Sequence, residues 1–241
     1  MINNHVIADK VMKEMASELN LKKVVAEKAV DDYVKDGMTV GLGTGSTSEY
    51  AVRRVGELVK NGFRLKCVAT SERTADLAQR LGIELCDLND VDHIDVTIDG
   101  ADEVDPAKQL IKGLGGALLR EKIVAAASLA EVIIVDSSKL VEKLGVKTPL
   151  PVEVVPYGYK KTAYALESQG CKAKLRMSGG IPFVTDAGNY IYDCKFESIE
   201  SPFFLESRID VIPGVVENGL FLNTADAVLV SHPDGTVTKI V

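Results

Sequence analysis

The chain has 241 residues, of which 46% are apolar and 26% are charged, and its formal net charge is −7. A globular chain of this length buries a large core, so it needs neither a disulfide framework nor a structural metal to fold. The acidic balance and the lack of a basic stripe exclude nucleic acid and an anionic membrane surface as expected partners.

The sequence carries no sign of export, of a membrane span or of a metal site. Its four cysteines are irregularly spaced and form no C-x-x-C pair, and its three histidines lie far apart: Cys67, Cys86, Cys171, Cys194, His5, His93 and His232. Reduced thiols are therefore favoured over disulfides or zinc. Without an apolar signal core or an Arg-rich transit pattern, the expected location is the cytoplasm.

The spacing of apolar residues predicts alternating helices and strands over the first half of the chain. Helices are predicted over 8–18, 22–35, 46–60, 72–81 and 116–129, and strands over 38–42, 65–69, 83–86, 96–98 and 131–136. Such alternation is typical of an α/β protein with an open, parallel, Rossmann-like sheet and helices on both faces.

The pattern changes near Thr148-Pro-Leu-Pro151. From there the predicted order is β-α-β-β-α-β, with strands over 152–155, 172–177, 189–196 and from 215, and helices over 158–168 and 202–209. This order indicates a small ferredoxin-like α+β domain. The last strands, 227–230 and 236–241, are expected to return to the first sheet. We predict a Rossmann-like catalytic domain over 1–148 and 223–241, and the ferredoxin-like domain over 149–222.

The first motif that indicates chemistry is Gly41-Leu-Gly-Thr-Gly-Ser-Thr47, between a predicted strand and a predicted helix. Glycines let backbone N–H groups approach a ligand, the hydroxyls of Thr44, Ser46 and Thr47 add donors, and a helix N-terminus adds partial positive charge. Ser46 replaces the last glycine of a dinucleotide fingerprint, and the Gly-Lys-Ser/Thr of a P-loop is missing. A phosphate cradle is favoured over a plain turn with Ser46 or Thr47 as N-cap.

Two further segments combine charge with glycine. Asp99-Gly-Ala-Asp102 follows a predicted strand, where open parallel sheets bind ligands, although alone it fits a solvated acidic turn equally well. Glu103 and Asp105 are expected to be exposed. Lys112-Gly-Leu-Gly-Gly-Ala-Leu-Leu-Arg-Glu121 brings a cation suited to an oxyanion and a glutamate at a helix start. That glutamate, taken alone, would be interpreted as a surface residue.

The three motifs together are more informative than any one of them. Each lies at a predicted strand-to-helix junction, and together they supply an anion cradle, two carboxylates, a cation and one further carboxylate. No histidine, cysteine pair or nicotinamide fingerprint accompanies them. The set suits proton transfer next to the carbonyl of a phosphorylated small molecule.

In order and spacing these motifs resemble those of the ribose-5-phosphate isomerase type A family. Supporting segments are Asp136-Ser-Ser-Lys139, Pro149-Leu-Pro-Val-Glu-Val154 and Ile212-Pro-Gly-Val-Val216, whereas residues 1–17 extend beyond the usual bacterial start. The resemblance implies an aldose–ketose isomerase of the pentose phosphate pathway. It would interconvert D-ribose 5-phosphate and D-ribulose 5-phosphate through a cis-enediolate, with no cofactor and no metal, as a homodimer or homotetramer.

The resemblance also implies roles for individual residues. Glu121 is the base that moves a proton between C2 and C1, and Lys112 with the Gly113–Gly116 backbone stabilises the enediolate. Asp99 and Asp102 hold sugar hydroxyls and move protons between O1 and O2, and Asp99 helps to open the furanose ring. Substrate and phosphate contacts are assigned to Thr44, Gly45, Ser46, Thr47, Gly100, Ala101, Gly113, Leu114, Gly115 and Lys139. Lys23 is the match for the family's N-terminal lysine, with Lys22 beside it as the alternative.

Three other functions are weighed against this one. A sugar-phosphate sensor would keep the cradle but would not need Glu121 or Lys112, and residues 1–35 show no basic recognition helix. An acyl-CoA transferase would use a glutamate nucleophile but would require a longer chain and a CoA site. A nicotinamide dehydrogenase is disfavoured by the broken fingerprint.

Overall fold

The structure, a computed structural model, describes residues 21–240. The helix predicted over 8–18 lies outside the described residues. Within them, no helix combines the length and the apolar character that crossing a membrane requires.

The helices alternate with strands in the first half of the chain, as predicted. The helices are α1 (21–33), α2 (Ser48–Lys60), α3 (Glu72–Arg80), α4 (Leu118–Ala126), α5 (Tyr159–Glu167) and α6 (Pro202–Asp210). The strands are β1 (Thr39–Leu42), β2 (Lys66–Ala69), β3 (Val96–Gly100), β4 (Glu103–Val104), β5 (Leu110–Ile111), β6 (Glu131–Asp136), β7 (Leu150–Val154), β8 (Lys172–Leu175), β9 (Met177–Ser178), β10 (Ile181–Pro182), β11 (Tyr190–Lys195), β12 (Val215–Asn218), β13 (Leu220–Phe221), β14 (Ala227–Ser231) and β15 (Val237–Ile240).

The main sheet has six strands in the order β15-β14-β6-β3-β1-β2. All neighbours in it are parallel except β14 and β15, which pair antiparallel, so the last two strands do return to this sheet. Successive residues of β6 face opposite cores, with Val132 and Ile134 on one side and Ile133 and Val135 on the other. This two-sided burial explains the unbroken apolar run of that strand.

The order of the strands places a crevice at one edge of this sheet. The chain passes from β1 to β2 on one side, and then crosses back to β3 on the other side of β1. At such a switch point the loops that follow the two strands diverge, and ligands bind between them. The loop after β1 carries the Gly41–Thr47 motif, and the loop after β3 carries Asp99-Gly-Ala-Asp102.

The second sheet is antiparallel and has the order β12-β7-β11-β8. Helices α5 and α6 connect its strands in the predicted β-α-β-β-α-β sequence, which confirms the ferredoxin-like architecture. Its apolar core is formed by β7, β11, α5 and α6, and includes the buried thiols of Cys171 and Cys194.

Sequence reasoning missed a small sheet and misjudged two acids beside it. Strands β13, β5 and β4 form a separate three-stranded antiparallel sheet. The expectation that Glu103 and Asp105 are exposed is wrong. Glu103 is 0% exposed and accepts hydrogen bonds from the backbone N–H groups of Gly145, Lys147 and Thr148. Asp105, half-buried, accepts from two N–H groups of its own turn.

We expect Glu103→Ala to lower the free energy of unfolding by more than about 2 kcal/mol, because backbone donors then lose a charged acceptor. Urea denaturation measures this, with the exposed Glu142→Ala as the matched control. A loss within the roughly 0.5 kcal/mol that is usual for surface substitutions would contradict the assigned role of Glu103.

Candidate active site

A cleft of about 280 Å³ opens at the carboxyl ends of β1 and β3. The three motifs meet in it, together with the turn Ser137–Lys139 that follows β6. Its walls are therefore formed by segments that lie far apart in the chain. The cleft is lined by Lys22, Thr44, Gly45, Ser46, Thr47, Ser48, Arg73, Gly100, Ala101, Asp102, Lys112, Gly113, Leu114, Gly115, Glu121 and Lys139.

The loop after β1 packs directly onto the end of β3. A Cβ atom at Gly43 would lie 2.1 Å from Oδ1 of Asp99, so only glycine fits there. The same Oδ1 accepts hydrogen bonds from the backbone N–H of Thr44 and from the hydroxyl of Ser48, both at 3.0 Å. Asp99 therefore fixes the conformation of the cradle, and its own side chain is only 1% exposed.

The hydroxyls of the cradle are not equivalent. The Thr44 hydroxyl lies 2.7 Å from that of Thr70, 2.8 Å from that of Ser71 and 3.1 Å from that of Thr74. It is thus engaged in a buried cluster of hydroxyls, while Thr44 also lines the cleft, and its contact with a ligand stays a prediction. Thr47 is the N-cap of α2 and makes no capping hydrogen bond with its side chain. The N–H groups of Glu49 and Tyr50 donate to the carbonyls of Gly45 and Thr47, whereas no described residue accepts a hydrogen bond from the N–H groups of residues 46–48. These three N–H groups are the ones that an anion at the start of α2 could use.

A buried ionic group lies next to the cradle, since Asp99 contacts both. The Lys112 ammonium lies 3.0 Å from Oδ2 of Asp99 and 3.7 Å from Oε2 of Glu121, and it donates to the carbonyl of Gly100. The three charged side chains are between 1% and 3% exposed. Oε2 of Glu121 has no hydrogen-bond partner among the described residues. One buried cation thus serves two carboxylates, and the Glu121 oxygen that faces it at 3.7 Å accepts no hydrogen bond from residues 21–240.

Burial controls the ionisation of this group. It raises the pKa of Glu121 to about 8, against the opposing effect of Lys112, and the nearby carboxylates of Asp99 and Asp102 raise it further. For Lys112, burial lowers the pKa, but Asp99 and Glu121 outweigh it and hold the pKa above its ordinary value. The lysine therefore stays charged, while burial favours the neutral form of the glutamate.

Asp102 lies between the ionic group and the glycine loop. Its Oδ2 accepts a hydrogen bond of 2.9 Å from the backbone N–H of Leu114. Burial raises its pKa, although the Leu114 N–H, Lys112 and Lys139 act in the opposite direction. Unlike Asp99, Asp102 lines the cleft and is accessible to a ligand.

The basic residues of the cleft differ in part from those expected. Lys22, and not Lys23, lines the cleft, and its Nζ lies 3.3 Å from the Ser46 hydroxyl. The predicted contact of Lys23 is therefore corrected: its Nζ pairs with Glu27 at 3.6 Å along α1. Lys139 lines the cleft as predicted. Arg73, in the first turn of α3, also lines it and belongs to no recognisable motif.

Every predicted site residue lines the cleft except Lys23 and Asp99, and Asp99 contacts the lining residues Lys112, Thr44 and Ser48. Sequence reasoning missed Ser48 and Arg73. Ser48 directly follows the cradle motif and could have been included on that ground, whereas no local signal marks Arg73. Within residues 21–240 no cluster of three or more histidine, cysteine, aspartate or glutamate side chains is arranged to hold a metal ion.

The fold and the cleft define an α/β protein that carries an anion cradle and a buried acid in one cleft, at a switch point of its sheet. Residues 66–235 match the model of the family described as ribose 5-phosphate isomerase A (phosphoriboisomerase A). The chain belongs to this family.

Curated relatives and solved structures agree with this assignment. The chain is 55% identical over 216 residues to ribose-5-phosphate isomerase A of Gloeobacter violaceus, covering 89% of this chain and 94% of the relative. The solved ribose 5-phosphate isomerase of Plasmodium falciparum is 44% identical, with a TM-score of 0.90 over 92% of this chain and 98% of that chain. A solved D-ribose-5-phosphate isomerase in complex with phospho-erythronic acid is 42% identical, with a TM-score of 0.88 over 91% of this chain and 97% of that one.

Proposed function

We propose that the cleft binds ribose 5-phosphate in its open-chain form, with the phosphate in the α2 cradle and C1 and C2 beside Glu121. The chain is an aldose–ketose isomerase that interconverts D-ribose 5-phosphate and D-ribulose 5-phosphate in the pentose phosphate pathway. The observation that carries the assignment of roles is the buried Glu121 carboxylate, which lines the same cleft as the cradle.

Glu121 is the proposed general base. It removes the proton from C2, which leaves a cis-enediolate, and then returns the proton to C1. A pKa of about 8 suits both steps, because a base with a pKa near the working pH both accepts and returns a proton readily. Burial also keeps the transferred proton from exchanging freely with water.

Lys112 is the proposed electrostatic partner of the enediolate. Its ammonium is fixed by Asp99 before substrate binds, so little reorganisation is needed when charge develops on the sugar oxygens. The Leu114 and Gly115 N–H groups belong to the same wall of the cleft. Preorganised donors of this kind are commonly worth about 3 kcal/mol each in acyl transfer.

We assign different roles to Asp99 and Asp102. Asp102 lines the cleft and is proposed to bind sugar hydroxyls and to move protons between O1 and O2. Asp99 is turned toward Lys112, Thr44 and Ser48, so we assign it first to holding the cation and the cradle in place. Its further part in opening the furanose ring stays a prediction.

The phosphate is proposed to lie against Ser46, Thr47 and the N-terminus of α2, with Lys22 and Lys139 as the nearby cations. These groups line the same cleft as Glu121. The division into domains at 148/149 and 222/223, a homodimer or homotetramer, and a cytoplasmic location also stay predictions.

Glu121→Gln is expected to lower kcat by about 10²-fold or more, because the amide cannot accept the C2 proton. The assay follows conversion of ribose 5-phosphate to ribulose 5-phosphate in the presence of EDTA, and binding of inorganic phosphate is measured in parallel. Phosphate affinity should persist, and the exposed Glu142→Gln should behave as wild type. Turnover near that of wild type in Glu121→Gln would remove Glu121 from its role.

Lys112→Gln is expected to move the acidic limb of the pH profile of kcat/KM to higher pH. The base is active when deprotonated, and Lys112 is the cation that lowers its pKa, so losing that cation raises the pKa further. An acidic limb at the same pH as in wild type would show that Lys112 does not act on the base.

Lys139→Ala is expected to raise KM several-fold with a smaller change in kcat, since a charge on the non-reacting phosphate contributes mainly to binding. Lys143→Ala is the matched control, because Lys143 pairs with Glu200 on the surface and lies outside the cleft. An unchanged KM in Lys139→Ala would exclude Lys139 from the phosphate site.

A further inference from the structure

Arg176 joins the antiparallel sheet to the glycine loop of the cleft, although no sequence motif marks it. It follows β8, its side chain is 13% exposed, and it does not line the cleft. It therefore reaches the site from behind the Gly113–Gly116 loop. A buried arginine that is directed at backbone needs a physical reason, because burying its charge is costly unless the charge is paired and hydrogen-bonded.

One side of the guanidinium is anchored in the antiparallel sheet. Nε donates to Oδ2 of Asp193 at 3.0 Å, and Nη2 pairs with Oδ1 of the same carboxylate. The backbone N–H of Arg176 donates to Ile191, and the guanidinium lies 5.9 Å from the ring centroid of Phe183. Two-point pairing with a strand residue fixes both the position and the plane of the guanidinium.

The remaining nitrogen holds the glycine loop. Nη1 donates to the carbonyl of Gly113 at 2.9 Å and to that of Leu114 at 3.1 Å. In a trans peptide unit the C=O and N–H point in opposite directions. With its carbonyl side held by Arg176, the peptide unit of Gly113 and Leu114 turns the Leu114 N–H to Asp102, as observed at 2.9 Å.

The next peptide unit follows the same geometry. Because the Leu114 carbonyl faces Arg176, the Gly115 N–H faces the opposite way, toward the side of the loop that carries Asp102. No described residue accepts a hydrogen bond from this N–H. The loop therefore presents one N–H that is engaged by Asp102 and one that is available to a ligand in the cleft.

We propose that Arg176 is a positioning residue for the isomerisation, which holds the Leu114 and Gly115 N–H groups toward the reacting end of the sugar. The inference rests on the proposed function, which places the enediolate beside this loop. The guanidinium also polarises the two peptide groups whose carbonyls it binds, which strengthens their N–H groups as donors. The ferredoxin-like unit thereby acts on the chemistry without touching the substrate.

The arrangement requires arginine rather than lysine. Three separate N–H directions are used: two toward Asp193 and one shared between the two carbonyls. A lysine ammonium can take the place of one of these contacts but cannot span the carboxylate and the loop in one plane. The substitution Arg176→Lys thus keeps the charge but loses the contacts that join Asp193 to the loop. We therefore expect Arg176→Lys to restore little of the activity that is lost when the arginine is removed.

The test compares Arg176→Met with Arg208→Met, an exposed arginine of the same unit that contacts Gln169. For each variant kcat and KM are measured, together with the inhibition constants of phospho-erythronic acid and inorganic phosphate. The carboxylate of phospho-erythronic acid places negative charge where the enediolate develops it, whereas phosphate probes the cradle alone. Arg176→Met should lower kcat roughly 10- to 100-fold, as small displacements of catalytic groups do. It should weaken phospho-erythronic acid about tenfold or more and leave phosphate within about twofold.

Three outcomes would overturn the inference while leaving the proposed function intact, provided that wild type is active. The first is a folded Arg176→Met protein with the kcat of wild type. The second is an equal loss of affinity for the two inhibitors, which would indicate general loosening of the cleft. If Arg176→Met does not fold, Asp193→Asn is tested in its place. We expect Asp193→Asn to lose affinity for phospho-erythronic acid but not for phosphate, to a smaller degree than Arg176→Met. An equal loss of affinity for both inhibitors in Asp193→Asn is the third outcome. An inactive wild type would instead reject the proposed function.

Discussion

The buried ammonium of Lys112 is the constraint around which the cleft is organised. Its charge is almost fully removed from water, so it depends on the carboxylates of Asp99 and Glu121 and on the Gly100 carbonyl. Leaving one partner of such a group uncompensated commonly costs about 3–5 kcal/mol. The end of β3, the loop after β5 and the start of α4 must therefore converge on one nitrogen atom, and the positions of these segments follow from that requirement.

The buried ionic group of Lys112, Asp99 and Glu121 is not arranged for stability alone. Glu131 lies on the neighbouring strand with 2% exposure, and burial raises its pKa to about 7, against the effect of Lys112. Lys112 therefore acts on three buried carboxylates, and burial favours the neutral form of two of them, Glu121 and Glu131. An apolar cluster of the same volume would often be as stable or more so. Retaining the charged cluster makes sense if its proton affinity is what the cleft uses.

The sequence predicted those parts of the fold and site whose signals are local. The spacing of apolar residues located β6 to the residue, and glycine-rich segments at strand ends located the cradle and the ionic group, because parallel strands direct their carboxyl ends to one edge. Non-local features were missed. The choice of Lys22 over Lys23 depends on how α1 is rotated against the sheet, and the buried hydroxyl of Thr44 depends on Thr70, Ser71 and Thr74. Glu103 was assigned to the surface because its three backbone donors lie more than 40 residues away.

The glycines in the loop that follows Lys112 make this loop flexible, so contacts from other parts of the chain must fix its conformation. Gly113 and Gly116 adopt positive φ angles of 103° and 82°, which lets the backbone approach the ligand closely but leaves an isolated loop with many alternative conformations. Donors stabilise a transition state well only if they are oriented before the charge appears. Asp102 holds this loop from the cleft side, and Arg176 and Phe183 hold it from the other side. Since the Phe183 ring occupies the space where a Cβ of Gly116 would lie, the segment that carries the antiparallel sheet is a structural component of the wall of the cleft.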